Sequence, residues 1–199
     1  STQRIPGTSC HQNDGAVIPA RVLHQWDFTE GKVSKPAKEY LLRLNKQPAF
    51  CVSAINPTLF TEKLPLHHAR LLRVQLGHLQ DFGKACQGAM QILTRLLGPG
   101  KMHLMNGTEL YSLNDLVDLQ CGELTRFLVM VIETLANHIT QECSRCVGRG
   151  FLCELCNDKE PFYSFEILKA IQCRRCSTFF HRKCWRAKNI NEHSCPKCA

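Results

Sequence analysis

Hydrophobic positions recur along most of this chain with the period of a helix. From about Leu66 to Leu97, Ala69, Leu72, Leu76, Leu79, Gly83, Cys86, Met90, Leu93 and Leu97 follow one another at alternating spacings of three and four. That seam predicts one long helix buried along a narrow face and ended by Gly98-Pro99-Gly100. Gly77, Gly83 and Gly88 within it each cost up to about 1 kcal/mol against alanine, so tertiary packing must hold it. An intermolecular coiled coil fits less well, because the seam carries two small positions and spans little more than four heptads. Before it, Ser34, Pro36 and the stripe Ala37, Tyr40, Leu41, Leu44 predict a capped helix, and Asn56-Pro57 opens a short one closed by Pro65. After it, Ser112 with Asp115 forms a capping-box pattern for Leu113–Leu119. Gly122 then separates a last helix, about Glu123 to Thr140, with Leu124, Phe127, Leu128, Val131, Leu135 and Ile139 inward. The expected fold is mainly α: a bundle of roughly five helices over 32–142. Residues 1–31 read as irregular, with Trp26 and Phe28 alternating as a strand or loop anchor.

The helical pattern stops at residue 143 and a different one begins. Cys143/Cys146, Cys153/Cys156, Cys173/Cys176, His181/Cys184 and Cys195/Cys198 are five ligand pairs, each separated by two residues. Two intervening residues let both side chains of a tight turn reach one tetrahedral ion, so 143–199 is expected to be a compact, interleaved multi-zinc module of the RING, PHD or FYVE kind. In interleaved modules, pairs share a metal first with third and second with fourth. Counting from Cys153, that joins Cys153, Cys156, His181 and Cys184 on one ion and Cys173, Cys176, Cys195 and Cys198 on another. Cys143/Cys146 needs partners for a third site, with His138 one turn upstream or Cys10 and His11 as candidates. His138 also suits a plain role facing carbonyls at a helix end. The fifth pair would tie the module to the last helix as one rigid unit. Every set is closed, with no open coordination position, so the zinc is structural and the chain is not expected to be an enzyme. Gly148-Arg-Gly150 reads as a knuckle, not a phosphate cradle.

Composition adds bounds. The 199 residues carry 25 Lys/Arg against 17 Asp/Glu, a formal +8. Much of that lies in 143–199, where eleven basic and five acidic side chains leave +6. Nine thiolates there remove nine charges, while two or three zinc ions return four or six, so the metallated segment carries only +1 or +3. Nucleic acid is therefore not an expected partner. The longest apolar run, Phe127–Ile132, is six residues and belongs to a core. Ser1–Gln12 is polar and unlike a signal peptide, and the chain reads as a piece of a longer protein. Cys10, Cys51, Cys86 and Cys121 stand outside the pairs, the last three as buried free thiols of a reducing compartment.

The ordered motifs resemble the Rubicon homology domain. They are Ile18-Pro-Ala-Arg-Val-Leu-His-Gln-Trp-Asp-Phe28, Val33-Ser34, Leu71-Leu-Arg-Val-Gln-Leu-Gly-His78, Leu110-Tyr-Ser-Leu-Asn-Asp-Leu116 and Gly150-Phe-Leu-Cys-Glu-Leu-Cys156, completed by the final cysteine and histidine pairs. Asn56-Pro57-Thr-Leu-Phe60 and Cys195-Pro-Lys-Cys198 look most like the branch called differentially expressed in FDCP. The resemblance implies a cytoplasmic regulator, peripheral on late endosomes, lysosomes or autophagosomes, that binds the GTP-loaded Rab-seven GTPase. Cys173 and His181 match zinc positions on which the family's binding surface depends. The family usually has a C-x-x-C-H element where this chain has Gly7-Thr-Ser-Cys10-His11, so the first cysteine of an upstream finger is missing.

Two other functions compete. A RING-type ubiquitin ligase would use Leu155 and Pro196 between its ligands, but here C-x2-C precedes H-x2-C, and no basic residue follows the last cysteine. A phosphoinositide-binding module would use Arg174, Arg175, Arg182, Lys183, Arg186 and Lys188, with Phe179, Phe180 and Trp185 inserting into lipid. Weak contact with an anionic membrane is the expectation, and the bland alternative packs Phe179 and Phe180 into the module's own small core.

Overall fold

A computed structural model describes residues 14–156, 158–190 and 194–198. In chain order the elements are β1 (Asp14–Val17), α1 (Pro19–Gln25), β2 (Glu30–Val33), α2 (Lys35–Leu44), β3 (Phe50–Cys51), α3 (Val52–Ile55), α4 (Leu59–Glu62), α5 (Leu64–Ala85), α6 (Gln87–Lys101), β4 (Leu110–Tyr111), α7 (Leu113–Gln120), α8 (Glu123–Asn137), α9 (Ser144–Val147), β5 (Ala170–Gln172), β6 (Phe179–His181) and α10 (Arg182–Ala187). A 3-10 turn, Met102–Met105, follows α6, and a π-turn, His138–Glu142, follows α8. The fold is mainly α, and its strands pair only in three short antiparallel ladders: β1 with β2, β3 with β4, β5 with β6. The chain divides into two compact units, Ser1–Arg70 with Gly107–Phe127, and Leu71–Asn106 with Leu128–Ala199.

In the first unit, residues 14–31, expected to be irregular, form with Lys32 and Val33 a β-hairpin that carries a helix between its strands. Pro19 supplies the first turn of α1, and Trp26 closes it in the left-handed conformation (φ 56°), its N–H donating to the Val22 carbonyl at 2.9 Å and the Asp27 N–H to the Arg21 carbonyl at 3.3 Å. Trp26 and Phe28 lie in the loop that follows, the loop anchor among the two expected roles, with their rings edge-on at 5.1 Å. Val22 and Leu23 are buried, as are Val52, Leu59, Phe60, Leu66, Tyr111, Leu116 and Leu119. Helix α2 is where the periodicity overstated burial: none of its residues is buried, and Tyr40 is exposed. Pro65 opens α5 instead of closing the helix before it. At the start of α7 the capping box forms in full, with the Ser112 hydroxyl accepting from the Asp115 N–H at 3.0 Å and the Asp115 carboxylate accepting from the Ser112 N–H at 2.8 Å.

The second unit holds the predicted seam. Leu72, Leu76, Leu79, Cys86, Leu93 and Leu97 are all buried, as the three-four spacing requires. It is not one helix, however: Cys86 is extended (φ −133°, ψ 111°), which ends α5 at Ala85 and starts α6 at Gln87. Gly98 (φ 58°, ψ 177°) breaks the path again where a helix end was expected. Arg73 is fully buried, and its guanidinium donates to the carbonyls of Leu104 (3.2 Å) and His103 (3.4 Å), pinning the 3-10 turn. The cysteine-rich segment builds its own core from Phe162, Ala170, Phe179, Phe180 and Trp185 around Cys153, Cys173 and Cys195. Helix α5 joins that core. Phe82 packs against Tyr163 and Phe165, His78 against Phe179, and the Gln75 amide donates to the Phe165 carbonyl at 3.1 Å.

Candidate metal centres

Among the described residues, cysteine and histidine side chains gather into three sets of four. Within each set the ligand atoms lie within 4.8 Å of one another. The first is Cys153, Cys156, His181 and Cys184. The turn after α9 and the Phe151–Phe162 bridge frame Cys153 and Cys156, while the end of β6 presents His181 and the first turn of α10 presents Cys184. The His181 Nδ1 faces the sulfurs of Cys156 at 3.4 Å and Cys184 at 4.0 Å. The His181 backbone N–H donates to the Cys153 sulfur at 3.3 Å, and the Phe162 ring holds the imidazole at 4.5 Å.

The second set is Cys173, Cys176, Cys195 and Cys198. Cys173 and Cys176 begin the turn that joins β5 to β6, where Ser177 takes a left-handed φ of 57°. Cys173 lies 3.8 Å from Cys198, and Cys176 lies 3.8 Å from Cys195. A tetrahedral ion bonded to sulfur at about 2.3 Å sets its sulfurs about 3.8 Å apart, so these spacings suit one ion among the four. These two groupings are the interleaved ones the spacing predicted.

The third set corrects one sequence expectation and meets another. Cys143 and Cys146 meet His138, one of their candidate partners, together with Cys86, which the periodicity had made a buried free thiol. The other candidates, Cys10 and His11, lie outside the described residues. Cys121, also expected to be buried, is exposed, and Cys51 is half-buried. Cys86 reaches the set through the break between α5 and α6. A continuous helix would keep residue 86 on the seam between turns, whereas its extended backbone turns the sulfur to 3.5 Å from the His138 Nε2 and 3.9 Å from the Cys143 sulfur. The π-turn does the rest: the Cys143 N–H donates to the His138 carbonyl at 3.0 Å, five residues back, which brings both side chains to one place. On the far side of the ring, the His138 Nδ1 faces the Glu142 carboxylate at 3.4 Å, the outer partner that fixes a ligating imidazole's tautomer. A methyl group on Gly88 would sit 3.1 Å from the His138 Cε1 and 3.8 Å from the Cys86 sulfur, so any side chain here would press on the ring. The one sequence signal for Cys86 was arithmetic: a fifth pair left two ligands short.

The electrostatics of the sets match their donors. Hydrogen bonding to His138 holds the Cys86 thiol down at about 6, while burial pushes its neighbour Cys146 up to about 12. The Thr178 hydroxyl likewise holds Cys176 at about 6, and the adjoining Cys176 pushes Cys198 up to about 12. Burial raises Cys184 to about 11. Four sulfurs, or three and an imidazole, cannot all shed their protons side by side unless a cation shares the charge, and a soft divalent ion does that. All four positions in each set come from side chains.

The surrounding groups take structural roles. Phe180, Phe179 and Trp185 are buried in the small core, as the bland reading of these aromatics expected. Leu155 also packs against that core. Arg182 donates to the carbonyls of Ile167 (2.8 Å) and Ala170 (2.9 Å). A methyl group on Gly150 would lie 2.6 Å from the Pro161 Cβ, so this glycine permits the close crossing of two segments.

A family model described as the Rubicon Homology Domain matches residues 4–199, nearly the whole chain. The chain belongs to the Rubicon homology domain family. It is 36% identical over 192 residues to Pleckstrin homology domain-containing family M member 3 of Xenopus laevis, covering 96% of this chain and 25% of that protein. It is equally 36% identical to the mouse Run domain Beclin-1-interacting and cysteine-rich domain-containing protein, over 95% of this chain and 19% of the relative. The Drosophila melanogaster protein Differentially expressed in FDCP 8 homolog shows the same 36%, over 95% of this chain and 38% of its own. The Rubicon homology domain thus spans less than two fifths of each of these relatives, and equal identity to all three singles out no branch.

Proposed function

We propose that this Rubicon homology domain is a non-enzymatic effector module that binds a GTP-loaded Rab GTPase of the Rab-seven type. The observation that carries the reading is the membership of nearly the whole chain in this family, together with three closed four-ligand sets. Closed sets are the form of structural zinc, where the metal stabilises a shape instead of activating water. All ten paired residues, joined by Cys86 and His138, are the proposed zinc ligands. A surface held by metal loses little ordering entropy when it meets a GTPase switch region. The proposed setting is peripheral, on late endosomes, lysosomes or autophagosomes, and no helix among the described residues is long and apolar enough to cross a membrane. One relative's name describes a Beclin-1-interacting protein, which is consistent with a trafficking role.

The competing readings lose part of what they called on, although Pro196 and the basic residues Arg174, Arg175, Lys183, Arg186 and Lys188 stay exposed. Lipid insertion called on Phe179, Phe180 and Trp185, which are buried, and ligase chemistry called in part on Leu155, which is half-buried against the same core. The test is a pull-down of the zinc-loaded chain on GTP- and GDP-loaded Rab proteins, with His181→Leu in parallel. Retention by the GTP form alone, lost in the variant, is expected. Equal retention of both nucleotide states would overturn the proposal.

A further inference from the structure

A groove of about 560 Å³ runs beside α5 in the second unit. One wall is the face of α5 bearing Leu71, Val74 and His78, and the other is the segment bearing Ile167, Leu168 and Ile171. Large apolar side chains stand open to solvent here: Leu71 and Val74 are each 37% exposed and Leu168 is 84% exposed. None is a proposed metal ligand, and none belongs to the small aromatic core. Scattered exposed leucines need no explanation, but three converging on one concavity do.

The charge at its rim is one-sided. Arg182 and Arg186 line the groove, and no carboxylate does among the described residues. Arg182 spends its hydrogen bonds on the carbonyls of Ile167 and Ala170, which fixes the guanidinium without neutralising it. Burial depresses the His78 pKa, so that ring is a neutral part of the wall. An apolar floor with a cationic rim suits a ligand that is apolar along one face and acidic beside it.

The shape narrows the occupant. Leu71, Val74 and His78 stand at i, i+3 and i+7 on α5, a stripe about 10 Å long at 1.5 Å per residue. Two turns of a second helix laid along that stripe would offer the matching i, i+3 or i+4, i+7 anchors. A lipid surface is flat and would reach Leu168 at the edge, but not Leu71 and Val74 inside the concavity.

We propose that this groove is a docking site for an acidic, amphipathic helical segment of a partner protein. The proposal does not depend on the GTPase reading. Leu168 and Val74 supply the apolar contacts, and Arg186 with Arg182 selects against basic segments.

The experiment is a selection from a random-peptide display library on the zinc-loaded full chain. Enriched peptides are then resynthesised and measured by fluorescence anisotropy. The expected peptides carry apolar residues at helical spacing with Asp or Glu on the flanks. Leu168→Asp and Val74→Asp should each weaken them by about tenfold or more, as loss of an anchor does, and Arg186→Glu by about threefold to tenfold. Both apolar positions are exposed, so zinc content and helicity should match the parent and separate lost docking from lost folding. Enrichment of basic peptides, binding unchanged by Leu168→Asp and Val74→Asp, or no enrichment at all would overturn the proposal. So would phosphatidylserine vesicles that bind the parent and fail to bind Leu168→Asp while the peptides are indifferent.

Discussion

Gly88 shows how much one missing side chain can decide. Its absent methyl leaves room for the His138 ring, and the nearest contact such a methyl would make is 3.1 Å, tighter than ordinary packing. Gly88→Val is expected to bring the zinc content from three equivalents to two, read by inductively coupled plasma mass spectrometry, with the other two sites intact. Glu142 acts on the same ring from its other nitrogen. Removing an outer carboxylate of this kind weakens metal affinity by about tenfold to a hundredfold. Glu142→Ala should therefore release its zinc to a competing chelator before the other two ions leave. Arg73 presents the opposite case, a charge placed where no solvent reaches. Arg73→Met would take the guanidinium from the Leu104 carbonyl and leave the His103 carbonyl to the Asn106 N–H, and a loss of about 2–4 kcal/mol in chemical denaturation is expected.

At the scale of elements, the junction between α5 and α6 has a cause that periodicity does not express. The seam keeps its three-four spacing through Cys86, and its leucines are buried on both sides of the break. Nothing in the local pattern asks the chain to leave the helix there. The extended Cys86 is stabilised by what it meets, His138 from the end of α8 and Cys143 from the turn beyond. Cys86→Ala should consequently loosen both contributors together. Hydrogen exchange is expected to accelerate at the π-turn and α9 and at the start of α6, while β5, β6 and α10 keep their protection. Exchange that changes only beside residue 86 would show that the break stands without the metal. The capping box of α7 and the proline at the start of α1 are the contrasting cases, because their donors and acceptors lie within a few residues and can be read directly.

For the whole molecule, the proposed zinc would make metal binding and folding one equilibrium in the second unit. Structural zinc contributes about 10–16 kcal/mol in small modules, comparable with the stability of a domain. The chain holds two tryptophans, Trp26 in the first unit and Trp185 in the small aromatic and cysteine core of the second. In a Trp26→Phe variant, Trp185 is the sole reporter, and chelation should shift its emission to the red as its surroundings open to water. Re-addition of zinc should restore it. Much of this was legible beforehand. The four pairs from Cys153 to Cys198 announced two sets because two-residue spacing and chain order restrict which turns can share an ion. Helix existence was legible from leucine spacing, and the cap at Ser112 from side-chain chemistry. The chain by itself thus determined the mainly α class, the donor types and the interleaving, all of which rest on short-range geometry. Only the tertiary structure decided that Cys86 joins the third set, that α2 buries none of its residues, and that Leu71, Val74 and Leu168 face one groove. Those outcomes depend on which distant segments meet, and no spacing along the chain encodes that.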